Sequence, residues 1–127
     1  MFSDKERLVS LLEKAIEEMH LIEAMSDPIK NAGDYGASLE GMTIFRACSM
    51  SLQFITESFV KIRNMEGAGF FSSYKSVPWN KVFGMRNFLS HEYVEVDENA
   101  LFNTIKEDLP ELLKVTELIL KDVELCD

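Results

Sequence analysis

Apolar residues recur at intervals of three and four along most of this chain, and that spacing limits the possible fold more than any other feature. Four segments show the pattern, at about residues 4–24, 39–64, 78–91 and 98–123. In the second segment the apolar positions are Phe45, Cys48, Leu52, Ile55, Phe59 and Ile62. Such spacing places apolar side chains on one face of an α-helix. We therefore predict an all-α fold, an antiparallel up-and-down four-helix bundle with no strands.

Proline and glycine predict where these helices are interrupted. Pro110 lies inside the last segment, where it removes a backbone donor and clashes with the preceding turn, so we expect that helix to be kinked or split there. The stretch "SDPIKNAGDYGAS", residues 26–38, is predicted to be a loop. The stretch "NMEGAGFFSSYKS", residues 64–76, is predicted to be a second loop with exposed aromatic residues.

Length and cysteine content bound the class of protein. A chain of 127 residues is predicted to form a single domain, residues 1–127. Its start is charged and no apolar run is long enough to span a membrane, so we expect neither a leader nor a membrane contact. Cys48 fits a buried thiol and Cys126 lies beside the end of the chain, which suggests a reducing cytoplasm.

The charge distribution is uneven. The formal net charge is −9, which argues against a general nucleic-acid binder because phosphate affinity comes from Lys and Arg. However, the segment from Arg46 to Tyr93 carries a balance of +3, and the remainder carries −12. A basic middle between acidic ends is compatible with a local anion-binding site.

The pair Glu17 and His20 raises a metal hypothesis, because di-iron bundles use Glu-x-x-His on two helices. The second motif is absent, since Phe88 lies three residues before His91, the only other histidine. We therefore expect no metal site and interpret His20 as an ordinary surface residue. No Ser-His triad and no phosphate-binding glycine loop is present either.

The stretch "RNFLSHEY", residues 86–93, is the strongest candidate site. On an ideal helix Ser90 and Tyr93 lie within about 40° of Arg86, whereas His91 lies about 140° away. Arg can hold phosphate oxygens in a bidentate contact and His can transfer a proton near neutral pH, which suits metal-free phosphodiester cleavage. The alternative is structural, with Arg86 paired to a carboxylate, His91 capping the helix and Tyr93 packed. On spacing alone we favour the structural reading.

The longer stretch "VPWNKVFGMRNFLSHEY" resembles the signature of HepT-like proteins, a branch of the HEPN superfamily of small helical bundles. The signature is Arg, four residues, His, any residue and Tyr, here Arg86, His91 and Tyr93. "ITES" at residues 55–58 and "EDLPELL" at residues 107–113 are also similar to this family. The resemblance covers roughly residues 40–120.

The resemblance implies a toxin of a two-gene toxin–antitoxin module, acting on RNA (tRNA or mRNA) as a metal-independent endoribonuclease without a cofactor. It implies a homodimer in which the Arg and His of both subunits meet at the interface. Arg86, His91 and Asn87 would then be catalytic, and we expect Lys81 and Ser90 to contact substrate. The implied partner is an MntA-type nucleotidyltransferase antitoxin that silences the toxin by transferring AMP to Tyr93.

A second reading stays open. A non-catalytic HEPN bundle that binds a nucleotide, or docks on a nucleotidyltransferase, would use the same arginine for phosphate and need no hydrolysis. Loss of His91 separates the two readings, because cleavage needs its proton transfer and phosphate binding does not.

Overall fold

The described part of the molecule is built entirely from helices. A computed structural model describes residues 3–90 and 98–126, with the side chains of residues 86–90 outside the description. Its α-helices are α1 (Asp4–Met25), α2 (Asp34–Ala37), α3 (Leu39–Glu66), α4 (Trp79–Ser90), α5 (Glu98–Asn103) and α6 (Leu109–Leu125). No strand occurs among the described residues, which confirms the predicted all-α bundle.

The longest helices begin at side-chain caps that are visible in the sequence. The Ser3 hydroxyl accepts a hydrogen bond from the Glu6 N–H (3.1 Å) at the start of α1. The Ser38 hydroxyl accepts one from the Gly41 N–H (2.9 Å) at the start of α3. Each bond satisfies a donor that the first helical turn leaves without a partner, so these starts are fixed locally. Helix α3 ends at Gly67, whose φ of 91° suits glycine.

The stretch between α1 and α3 is more ordered than the predicted loop. It contains the single turn α2, and Tyr35 on that turn is buried. The Asp34 carboxylate accepts hydrogen bonds from the backbone N–H groups of Lys30 (2.7 Å) and Asn31 (3.3 Å). The main chain of α2 then lies against Gly41, where an added Cβ would be 2.0 Å from the Asp34 carbonyl oxygen. This turn is therefore part of the packed structure.

The second predicted loop also differs from expectation, because its aromatic residues are not all exposed. A 3₁₀ helix spans Ala68–Ser73 and turns Phe71 into the core, where 3% of the residue is exposed. The Phe71 ring lies 6.0 Å from the Phe59 ring and 4.4 Å from the Trp79 ring, between centroids. The prediction of exposed aromatics was wrong for Phe71, because its position depends on contacts with residues far away in the sequence.

The predicted interruption at Pro110 is confirmed. A π-helical segment, Thr104–Asp108, separates α5 from α6, and the Leu109 N–H donates to the Thr104 carbonyl five residues earlier. Pro110 has no N–H to donate and would clash with the carbonyl four residues before it, and the wider π turn relieves that conflict. The last helix is thus divided just before the proline.

One cluster of buried apolar side chains joins the described helices. Fully buried members of this cluster include Leu12, Met19, Cys48, Ile55, Phe59, Leu101 and Ile119. Cys48 is buried and Cys126 is exposed, as predicted. No helix in the described ranges is long and apolar enough to cross a membrane.

Candidate functional site

Helix α4 carries the first part of the candidate motif. Its backbone contains Arg86, Asn87 and Ser90, although the side chains of these residues are outside the description. His91 and Tyr93 lie outside the described residues altogether. The structure therefore gives the position of the helix that leads into the motif, and the predicted catalytic roles stay predictions.

The first turn of α4 is fixed by an aromatic cluster. Trp79 packs on Phe71 and Phe59, and its Nε1 donates to the Tyr74 carbonyl at 2.8 Å. One turn later, the Arg63 guanidinium lies 4.2 Å from the centroid of the Phe83 ring, a cation–π contact with α3. These contacts hold the motif-bearing helix against α3 at its start.

The position of Arg86 on α4 follows from the helix spacing. Val82 is buried at 6% exposure, and position 86 follows it by one turn, about 40° around the helix axis. Position 86 therefore lies on the side of α4 that packs on the bundle at Val82. The sequence spacing alone did not show which side of α4 faces the bundle, because that depends on how α4 packs against other helices.

Lys81, a predicted substrate contact, forms an ion pair. Its Nζ lies 2.7 Å from the Asp108 Oδ2 in the π-helical segment, and the two side chains are 61% and 36% exposed. Position 81 is about 140° around α4 from position 86. The pair thus lies on a different side of the helix, and RNA phosphate would have to compete with Asp108 for this lysine. Asp108 was missed because 27 residues separate it from Lys81.

A cavity of about 200 Å³ lies beside this ion pair, between α4, α3 and the start of α6. Its apolar lining residues include Leu52, Val82, Met85, Leu109 and Leu112. Because Met85 directly precedes Arg86, the cavity lies next to the motif-bearing turn of α4. Lys81 and Asp108 also line it, so its lining includes apolar side chains and one ion pair.

The Glu17 and His20 pair of the metal hypothesis lies on α1. The His20 Nδ1 lies 3.1 Å from the Glu23 Oε1, and the histidine is exposed, as expected for a surface residue. In the described ranges no three His, Cys, Asp or Glu side chains lie close enough together to hold a metal ion.

An all-α bundle whose fourth helix leads into Arg-x₄-His-x-Tyr defines the HEPN class of small helical proteins. A family model described as "Ribonuclease HepT-like" matches residues 12–119, which include the whole motif. The chain therefore belongs to the HepT-like family.

Curated relatives agree with this assignment. "Putative RNase MJ1380" of Methanocaldococcus jannaschii is 30% identical over 101 residues, covering 78% of this chain and 89% of the relative. "Putative RNase MJ0125" of the same organism is 32% identical over 91 residues, covering 72% and 75%. "Putative RNase TTE0752" of Caldanaerobacter subterraneus subsp. tengcongensis is 36% identical over 76 residues, covering 60% and 64%. No solved structure matches the chain at a significant level.

Proposed function

We propose that this protein is a metal-independent endoribonuclease that acts as the toxin of a two-gene toxin–antitoxin module. The observation that carries the proposal is the HepT-like family match across residues 12–119, which includes Arg86, His91 and Tyr93 in their motif spacing. The curated relatives are each named "Putative RNase", and these names support the same reaction class.

The proposed chemistry divides between two side chains. His91 takes the proton from a ribose 2′-hydroxyl, whose oxygen forms a bond to the adjacent phosphorus while the bond from phosphorus to the 5′-oxygen breaks. An imidazolium then returns a proton to that leaving oxygen, so the step balances without a metal. Arg86 stabilises the charge on the phosphate oxygens, Asn87 orders the site, and Lys81 and Ser90 contact the substrate.

A homodimer completes this site in the proposal, because His91 lies about 140° from Arg86 on one ideal helix. Exposed apolar residues on α3 offer a contact for a second copy. Met50 is 67% exposed and Phe54 is 45% exposed, and they lie one turn apart, about 40° around the helix. This pair lies on the side of α3 opposite Phe59 and Arg63, which contact α4, so it supports a dimer but does not itself bring the two motif-bearing helices together.

Silencing by a nucleotidyltransferase antitoxin is the third part of the proposal. Transfer of AMP from ATP to the Tyr93 hydroxyl, with release of pyrophosphate, adds phosphate charge two residues from His91 and seven from Arg86. That charge would occupy the arginine and compete with RNA phosphate, which is a local electrostatic switch.

The second candidate function is a non-catalytic bundle that binds nucleotide or docks on a nucleotidyltransferase. The net charge of −9 favours it, because an acidic body repels a long polyanion.

Cleavage of total RNA and tRNA in EDTA by purified, unmodified protein tests the proposal. Mass spectrometry first verifies that Tyr93 carries no AMP. We expect His91→Ala to abolish cleavage and the matched control His20→Ala to retain it, because His20 is an exposed residue paired only with Glu23 in the described structure. Absence of cleavage by dimeric, unmodified protein would overturn the nuclease and favour the binding bundle.

A further inference from the structure

An open groove of about 690 Å³ lies on a part of the surface that the motif does not include. Residues of α1, α3 and α6 line it, and no residue of α4 does. Its charged lining residues are four cations, Lys5, Arg7, Lys14 and Lys61, and two carboxylates, Glu6 and Glu124. On a chain with net charge −9, this is a local excess of positive charge.

Three of these cations have no partner within the described structure. No side-chain hydrogen bond or ion pair there joins Arg7, Lys14 or Lys61 to another described residue, and all three are exposed. By contrast, Lys81 pairs with Asp108 and Arg63 covers Phe83. The groove therefore presents charge that is available to a ligand.

The two carboxylates of the groove neutralise it only in part. The Glu6 carboxylate accepts a hydrogen bond from the Ser3 hydroxyl at the start of α1 and keeps its negative charge. Lys5 donates to the Cys126 carbonyl, which joins the start of α1 to the end of α6 along the groove. Four cations against two carboxylates give the lining a formal charge of +2.

The arrangement of the three available cations suits an extended polyanion. Arg7 and Lys14 are seven residues apart, two turns on one side of α1, and are separated by about 10 Å along the axis. Lys61 faces the same groove from α3. A single phosphate group would not reach cations spread over this length, whereas a chain of phosphates would.

We propose that this groove binds the phosphate backbone of single-stranded RNA, at a surface separate from the motif. This inference rests on the proposed ribonuclease function and adds a place where an acidic protein binds its polyanionic substrate. Lys61 lies nine residues beyond Leu52, about 13 Å along α3 and half a turn around it, so the groove and the cavity beside α4 lie on opposite sides of α3. It holds RNA and does not touch the reacting phosphate.

Salt dependence of RNA binding tests the groove. The triple variant Arg7→Gln, Lys14→Gln, Lys61→Gln is compared with its parent in a His91→Ala background, which keeps a long single-stranded RNA intact. Each lost phosphate contact lowers the slope of log K against log salt by about 0.7, so we expect a drop of about 2 and an affinity loss of about 100-fold at 0.1 M salt.

The matched control removes the same charge elsewhere. Lys30, Lys114 and Lys121 are exposed and do not line the groove, so their triple Gln variant should keep the parent's salt slope. With His91 present, the groove variant should raise KM for long RNA and leave kcat within about twofold, because its residues are remote from the motif.

The outcomes separate this inference from the proposed function. If the wild-type protein cleaves RNA but both triple variants show equal slopes, the groove proposal is wrong and the nuclease stands. If RNA binds with the expected slopes but is not cleaved, the groove is supported and the nuclease fails. If the groove variant changes only the oligomeric state by sedimentation, the groove is a protein contact and the proposal is overturned.

Discussion

Phe71 gives the sharpest test of how the motif-bearing helix is held. Only 3% of the residue is exposed, and its ring contacts those of Phe59, Trp79 and Phe83 at centroid distances of 6.0, 4.4 and 5.7 Å. Phe71→Leu keeps most of the buried apolar area but removes these ring pairs, each worth roughly 0.5–1.5 kcal/mol. Because the pairs share one ring they do not add fully. We expect a loss of about 2 kcal/mol in the free energy of unfolding.

Urea unfolding followed by circular dichroism measures this loss. The neighbouring Phe70 is half-buried, and among the described side chains its one ring contact is with Phe71 at 5.1 Å, so Phe70→Leu should cost only about 0.5–1 kcal/mol. Trp79 is the only tryptophan in the chain, so its emission should shift to the red in Phe71→Leu. Equal costs for the two variants, or an unchanged emission spectrum, would refute the account of how Phe71 fixes α4.

Two further predictions concern backbone packing and alkaline stability. Gly41→Ala should destabilise by about 1–3 kcal/mol, because the new Cβ would lie 2.0 Å from the Asp34 carbonyl oxygen. Gly84→Ala in α4 has no described atom within 4 Å of the new Cβ and should stabilise by roughly 0.5–1 kcal/mol. Thermal unfolding measures both, and effects of the same sign would contradict the packing argument. Burial, with smaller contributions from Cys48 and Glu98, raises the pKa of Tyr35 to about 12. Burial and the hydrogen bond to Asp122 do the same for the pKa of Tyr74. The folded state therefore keeps protons that the unfolded state loses near pH 10, and the stability present below about pH 10 should be lost between about pH 10 and 12. Unfolding at several pH values should show a shallower decline for Tyr35→Phe, and an unchanged decline would count against the raised pKa.

The comparison of α1 with the stretch after α3 shows which parts of the fold are local. The apolar spacing predicted α1 almost to the residue, and the Ser3 cap that fixes its start also acts within a few residues along the chain. The burial of Phe71 could not be predicted in this way. "GFFSS" has no clear period, and its inward turn depends on rings contributed by α3 and α4.

The candidate site divides in the same way. The motif residues and their spacing are read from the sequence alone, and the residues that the family model matches include them. The ion pair between Lys81 and Asp108 joins α4 to the π-helical segment, and no sequence pattern in either segment predicts it. A fold whose helices paired differently would keep the motif and lose this contact.

The sequence by itself determined the class of fold, the helix starts and the motif, because helical spacing, caps and proline act through neighbouring residues. Only the tertiary structure decided that Gly41 lies against α2 and that Phe71 supports Trp79. It also decided that Lys61 joins Arg7 and Lys14 in one groove, although they lie more than forty residues apart. Charge and packing act through space. The net charge of the chain therefore does not show the local positive charge of the groove, which forms only when the helices pack together.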